Sequence, residues 1–414
     1  MMKKSLIAIL LLSGGIILIA SWDALFVNAE KNRQQHQDIV EANTARKPGH
    51  LERIQIFIET QRIKEKEEWL RHHFERLYKR GLLNGSVLVA ERGNLLFKGA
   101  YGYSNLHSRD TLSTKTPFQL ASVSKMFTAT AIMMLKERGV LDYDSTLQNY
   151  LPDFPYEGIT VRHLLNHRSG LSRYMSLAHS NWDFDVPLTN DAMLELFKKY
   201  EPSTYFSPDR MFNYLNTNYA LLANIVSEAS GKPFDEFVKE EIFKPLKMDN
   251  AFVYNVEKVA EPESVAMGHH SWRKRPIKMT DDYLNGVMGD KGVFASVEDL
   301  YKFDRGLYSE KLMSAETLEE AFLPGTKRRR SDSYGFGWRI KTTMPGVVYH
   351  FGWWRGYKSC FIRDLDNEIV IIVLNNRVRS PSSNSYWEVL DYLREFEVET
   401  FPEIESTEGQ NEPL

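Results

Sequence analysis

The chain has 414 residues, with 52 Lys and Arg against 55 Asp and Glu and a net charge of −3. It lacks the basic excess of a nucleic-acid binder, and 43% hydrophobic residues give it the apolar content of a packed domain rather than a disordered chain. Its single cysteine, Cys360, excludes an internal disulfide framework and any cysteine-based zinc site.

Lys3 and Lys4 precede an uncharged apolar run from Ser5 to Trp22. Positive residues ahead of such a run mark an exported segment. Two fates are open. The run approaches the roughly 20 residues that span a bilayer and can stay as an anchor, or it can be removed after Val27-Asn28-Ala29. Residues 1–29 are therefore read as a signal peptide or N-terminal membrane anchor. The rest of the chain is expected in the periplasm or another extracytoplasmic space, with attachment to the inner membrane through residues 5–22 if the run is retained.

Residues 30–80 read as a polar linker followed by a long charged helix, Leu51 to Arg80, with a partial apolar stripe and Gly81 as its stop. A β-hairpin follows, with strands Ser86–Ala90 and Leu95–Phe97 around the turn Arg92-Gly93-Asn94. Helical patterns dominate from Phe118 to about Phe322. Strands return at Tyr334–Ile340, Val347–Phe351, Tyr357–Arg363 and Glu368–Leu374, and Tyr386–Phe396 closes as a helix. This order predicts an α+β fold in which strands from both ends form one antiparallel sheet and a mainly helical region is inserted between them. A ligand cleft is expected between the two parts. Residues 398–414 read as an acidic tail.

The most informative stretch lies between Pro117 and Gly139, which bracket a predicted helix with Ser122 in its first turn. Lys125, three residues on, shares the face of Ser122. The unpaired N–H groups and positive dipole at a helix start can stabilise an alkoxide at the serine. A serine needs a base to become a nucleophile, and a lysine among apolar neighbours such as Met126 and Phe127 can be desolvated and lose its proton. On this stretch alone, a capped helix with a surface lysine fits as well. Further on, Tyr214 and Asn216 sit two apart in a loop before a helix and point the same way. A phenol there can shuttle a proton and the amide can donate to a substrate carbonyl. Near the C-terminus His350 and Gly352 lie on a strand, where the glycine lets backbone approach a ligand.

Taken in order, Ser122/Lys125, Tyr214/Asn216 and His350/Gly352 resemble the three motifs of the class C β-lactamase-related serine hydrolases, which include penicillin-binding-protein-like peptidases and esterases. The likeness extends to flanking segments such as Gly289–Ser296 and Tyr334–Trp338, and covers roughly residues 81–397. It implies a β-lactamase/DD-peptidase-like domain that works through an acyl-enzyme. Ser122 would attack an amide or ester carbonyl in a small molecule or peptide, with Lys125 and Tyr214 sharing the proton. The N–H groups of Ser122 and Trp353 would form the oxyanion hole, with no cofactor and no metal. The departure is His350, where many relatives carry a lysine. Histidine is largely neutral at pH 7, and with the bulky pair Trp353-Trp354 this favours a substrate other than a β-lactam. A catalytically silent binding or scaffold protein that keeps the fold is the alternative reading.

His163 and His167, four apart, lack the acidic partner of a metal-binding helix and read as structural. The pairs His72-His73 and His269-His270 read as surface residues, and Lys327–Arg330 as a solvated loop.

Overall fold

The computed structural model describes residues 50–258, 265–272, 275–279, 282–325 and 332–398. The apolar run 5–22, the polar linker, the basic run 327–330 and the acidic tail lie outside the described residues. Among those described, no helix is long and apolar enough to cross a membrane. The chain divides into two compact units, Met1–Lys64 and Glu65–Leu414. In the first, the described residues are helical, with Ile54, Ile56, Phe57 and Ile58 exposed.

A seven-stranded antiparallel sheet organises the larger unit. Its strands are β1 (Gly85–Glu91), β2 (Asn94–Tyr101), β3 (Ser333–Tyr334), β4 (Arg339–Ile340), β5 (Val347–Trp354), β6 (Tyr357–Asp364) and β7 (Ile369–Asn375), in the order β3-β4-β5-β6-β7-β1-β2. β1 pairs with β7 from Gly85 opposite Asn375 to Glu91 opposite Ile369. This is the sheet built from both ends of the chain that the strand pattern predicts. Every residue of β1 and β7 is buried. Strands covered on both faces need no polar alternation, which is why these two read as continuous apolar runs.

The main helices are α1 (His50–Lys79), α2 (Ser124–Glu137), α3 (Asn216–Ser230), α4 (Val297–Leu307) and α5 (Asn384–Val398). From Leu70 onward α1 buries Leu70, His73, Phe74 and Leu77, a spacing of three and four that lines one face. Lys66 pairs with Glu91 of β1 at 2.7 Å, and Trp69 stacks on Tyr392 of α5 at 3.9 Å. His73 and His269 are thus enclosed rather than at the surface, the first beneath Trp69 and the second accepting a hydrogen bond from the Leu106 amide at Nε2. α4 starts at a capping box of Ser296 and Asp299 and packs against β1 and β7. α2 and α3 pack side by side in the inserted region, α2 with twelve of its residues buried.

Two departures from the sequence pattern have tertiary causes. Tyr334–Ile340 is not one strand: β3 and β4 flank a tight turn in which the Gly335 amide donates to the Trp338 carbonyl. Gly337 in that turn has a φ of +81°, and a Cβ there would stand 2.9 Å from the Lys125 carbonyl oxygen. The turn is therefore pressed onto α2. The region read as helical also carries a small sheet of Phe118–Gln119, Val293–Ala295 and Phe252–Val253, which lies beside the start of α2.

Arg363 of β6 is fully buried, and its Nε donates to Asp304 of α4 at 2.7 Å. This pair fastens α4 to the sheet. Asp304→Ala would strand a buried guanidinium without its counter-charge, and a loss of about 3–5 kcal/mol is expected in urea unfolding. A change below about 0.5 kcal/mol, the size of an ordinary surface substitution, would show that the ring faces of Tyr308 and Trp338 around Arg363 suffice.

Candidate active site

Ser122 does not lie in α2 itself. It sits on a 3₁₀ turn, Ala121–Val123, that runs into the helix at Ser124. Ala121 has a φ of +50°, a conformation costing a non-glycine residue about 1–3 kcal/mol. The surroundings hold it there. The Leu120 amide donates to the Val293 carbonyl at 2.8 Å, and Ser359 Oγ donates to the Leu120 carbonyl at 2.5 Å. The result is a half-buried serine standing at a helix start while Lys125, one turn on, is fully enclosed.

The Lys125 Nζ has three oxygen neighbours: Ser122 Oγ at 3.1 Å, Asn216 Oδ1 at 2.9 Å and the Asp290 carbonyl at 2.8 Å. The last two are pure acceptors and hold two N–H bonds. The third tetrahedral direction faces Ser122. A neutral amine in this setting has its lone pair where the serine proton is, and an ammonium there donates back. This is a geometry for proton exchange between the two side chains.

Asn216 is the first residue of α3, and Tyr214 comes from the loop ahead of it. His167 fixes that loop. Its carbonyl accepts from the Asn213 amide at 2.9 Å, and its Nδ1 from the Leu215 amide at 3.1 Å. His167 is thus a structural residue, as the lack of an acidic partner predicts, and it acts on the site by placing Tyr214, whose ring it packs against at 4.4 Å. Lys125 Nζ and the Arg339 guanidinium both lie over the Tyr214 ring, 5.1 and 5.0 Å from its centroid. The Tyr214 hydroxyl is enclosed and has no hydrogen-bond partner among the described residues. Beside it opens a cavity of about 240 Å³ lined by Arg173, Tyr174, Met175, Tyr214 and Asn216.

β5 brings in the third motif. A Cβ on Gly352 would stand 2.2 Å from Ser359 Oγ, 2.3 Å from the Leu120 carbonyl and 3.1 Å from the Ala121 Cβ. Only glycine lets β5 pass this close to the nucleophile's turn. Trp353, next along, is 63% exposed. His350 is completely buried: its Nδ1–H donates to the Phe351 carbonyl at 2.9 Å, and its Nε2 accepts from the Tyr334 hydroxyl at 3.1 Å. Both ring nitrogens are therefore engaged within the protein. Burial, with Arg339 and Lys125 nearby, holds the imidazole well below its usual pKa and hence neutral.

The structure thus brings Ser122, Lys125, Tyr214, Asn216, Gly352 and Trp353 to one place, with His350 behind them. Sequence reasoning missed Arg339, a permanent cation over the Tyr214 ring, although it directly follows Tyr334–Trp338. It also missed the contributions of His167, Tyr174, Asp290 and Lys291. Among the described residues no group of three His, Cys, Asp or Glu side chains can hold a metal ion.

A serine and a buried lysine on this α+β scaffold define a serine-hydrolase-like protein. The sequence profile of the Beta-lactamase family matches residues 64–393, and the chain belongs to that family. It is 36% identical over 327 residues to Penicillin-binding protein 4* of Bacillus subtilis (strain 168), covering 75% of this chain and 72% of that one. It is 23% identical over 299 residues to a D-aminopeptidase of Gluconobacter oxydans (strain 621H), covering 71% of this chain and 56% of that one. Among solved structures, the octameric penicillin-binding protein homologue from Pyrococcus abyssi aligns with a TM-score of 0.69 and 26% identity, over 80% of this chain and 77% of that one.

Gly352→Ala should leave the protein folded but lower kcat by about 100-fold, because moving β5 by a fraction of an ångström misplaces the groups around Ser122. Wild-type turnover would show that β5 contributes nothing at that point.

His167 and His350 also predict a pH dependence of stability. Both are held well below the ordinary value of 6.5 by burial, so the unfolded chain binds more protons below that pH. The stability they contribute is complete above about pH 7 and falls as the pH drops through about 6.5, by up to about 1.4 kcal/mol per unit for each histidine. Urea midpoints measured from pH 8 to 5 check this, and a flat profile would contradict it.

Proposed function

We propose that the protein is an exported serine hydrolase that forms an acyl-enzyme on Ser122 with amide or ester substrates, peptides and amides of D-amino acids foremost. The observation that carries this reading is the Lys125 amine, anchored by two acceptors with its third direction on Ser122 Oγ. Ser122 attacks the carbonyl carbon and its proton passes to Lys125 and Tyr214, which return it to the leaving amine or alcohol. The backbone N–H groups of Ser122 and Trp353 stabilise the oxyanion. Water then attacks the acyl-enzyme by the same proton route in reverse.

The D-aminopeptidase relative supports an amide substrate, and the cavity beside Asn216 offers room for its side chain. Arg339, rather than the enclosed His350, is the cation suited to a substrate carboxylate. Export rests on the apolar segment behind Lys3 and Lys4.

Amides and p-nitroanilides of D- and L-alanine, short p-nitrophenyl esters and penicillins form the test panel. Turnover of the D-amides and esters is expected. Ser122→Ala should abolish it at a cost of no more than about 1 kcal/mol in stability, and Lys125→Arg should be nearly as damaging because a guanidinium cannot accept a proton. Turnover by Ser122→Ala at the wild-type rate would refute the assignment. Arg339→Gln should lower the ratio of kcat/KM for carboxylate-bearing over neutral substrates by about tenfold or more, the worth of one charge-assisted hydrogen bond. An unchanged ratio would remove Arg339 from the substrate's acidic end.

A further inference from the structure

The Asp290 carbonyl that holds Lys125 belongs to the turn Gly289-Asp290-Lys291-Gly292, and this turn carries a buried ion pair. Asp290 is 1% exposed and Lys291 3%. Both carboxylate oxygens of Asp290 are occupied: Oδ1 by Lys291 Nζ at 3.3 Å, and Oδ2 by the Tyr174 hydroxyl at 3.1 Å. Lys291 Nζ also donates to the Tyr174 hydroxyl at 2.9 Å and to the Val287 carbonyl at 3.1 Å. The three side chains close a triangle in which each touches the other two.

The turn itself has little freedom. Gly289 and Gly292 both have a φ of +95°, and a Cβ on Gly289 would stand 2.4 Å from the Tyr219 carbonyl. Thr128 Oγ1 of α2 donates to the Gly289 carbonyl at 2.8 Å. The turn is thus stitched to α2 at two successive carbonyls, those of Gly289 and Asp290. A buried ion pair is a poor device for stability, since apolar residues of the same volume often serve as well. Its distinctive property here is directional. It fixes the rotation of the peptide plane whose oxygen takes one of the two anchoring N–H bonds of Lys125.

We propose that Lys291 is a positioning residue for Lys125, acting through Asp290 and Tyr174 to hold the Asp290 carbonyl on the Lys125 amine and so to aim its third direction at Ser122. This rests on the reading of Ser122 and Lys125 as the acyl-transfer pair. Lys291 also places a second positive charge near Lys125. The other charged and titratable groups facing Lys125 are Asp290 itself, Arg339 of β4 across the Tyr214 ring, the Tyr214 and Tyr219 phenols, and His167 and His350, both neutral through burial. Burial lowers the pKa of Lys291, with the Lys125 charge adding to the effect and Asp290 opposing it.

The test is steady-state hydrolysis of p-nitrophenyl acetate and D-alanine p-nitroanilide by full-length wild-type, Lys291→Met, Asp290→Asn/Lys291→Met and Ser122→Ala proteins. Lys291→Met should lower kcat by about 100-fold while KM changes less than about threefold, because binding groups stay in place and the proton acceptor is misaimed. If Lys291→Met fails to fold, the double variant, which leaves no unpaired charge, carries the test. It should show a fall in kcat of about tenfold or more at constant KM. A folded variant of either kind with wild-type kcat, or one whose loss lies in KM with kcat unchanged, overturns the proposal. Ser122→Ala separates the two levels: turnover in that variant sinks the acyl-enzyme reading and this inference with it, whereas a dead Ser122→Ala beside an unaffected Lys291→Met sinks the inference alone.

Discussion

An amine buried with no exposure must find a partner for each of its bonding directions inside the protein, because no water is there to serve. Lys125 meets this demand with one side-chain oxygen from α3, one backbone oxygen from the Gly289–Gly292 turn and the hydroxyl of Ser122. The two fixed acceptors decide where the third direction goes. Ser122, Asn216 and the Asp290 peptide, far apart in sequence, are therefore held to one another through a single nitrogen. The rest of the domain supplies the rigid frame that this convergence needs.

That frame depends on close approaches of backbone, and each is made at a glycine. Gly337 lets the β3–β4 turn press on α2, Gly289 lets the acceptor turn lie against α3, and Gly352 lets β5 slide past Leu120 and Ala121. The contacts at Gly337 and Gly352 bring two different elements against the short stretch from Leu120 to Ala129. The antiparallel sheet makes this possible because its two halves, β1–β2 and β3–β7, come from opposite ends of the chain and pair directly through β1 and β7, with the helical region inserted between them in sequence. The charged groups follow the same logic. Arg339 and Lys125 share the face of Tyr214, while His167 and His350, hemmed in by the same cations, stay neutral and serve as hydrogen-bonding posts.

Much of this is legible in the amino-acid sequence. β1, β5, β6 and β7 announce themselves as apolar runs bounded by turn residues, and Ser122/Lys125 stand out by helical spacing. The features that escape a sequence reading share one cause, namely determination by distant contacts. The left-handed Ala121 that lifts Ser122 out of α2 is imposed by Val293 and Ser359, and nothing local to it signals a strained turn. The neutral character of His350 is readable from its residue type, but its enclosure by Tyr334 and Phe351 is not. Asp290 and Lys291 are adjacent and oppositely charged, a pattern that in most sequences belongs to a solvated surface. Their burial is visible only once Tyr174 and Val287 are seen to surround them.

The central claim is that Ser122 is a nucleophile activated by Lys125. Its most direct measurement is the rate and site of covalent labelling by a fluorophosphonate, followed by intact mass and peptide mapping from pH 5 to 10. The account predicts a single adduct, on Ser122, whose rate of formation rises with pH along one titration and collapses when Lys125 is replaced by arginine. An adduct on another residue, or a Ser122 adduct that forms equally fast with arginine at position 125, would contradict it.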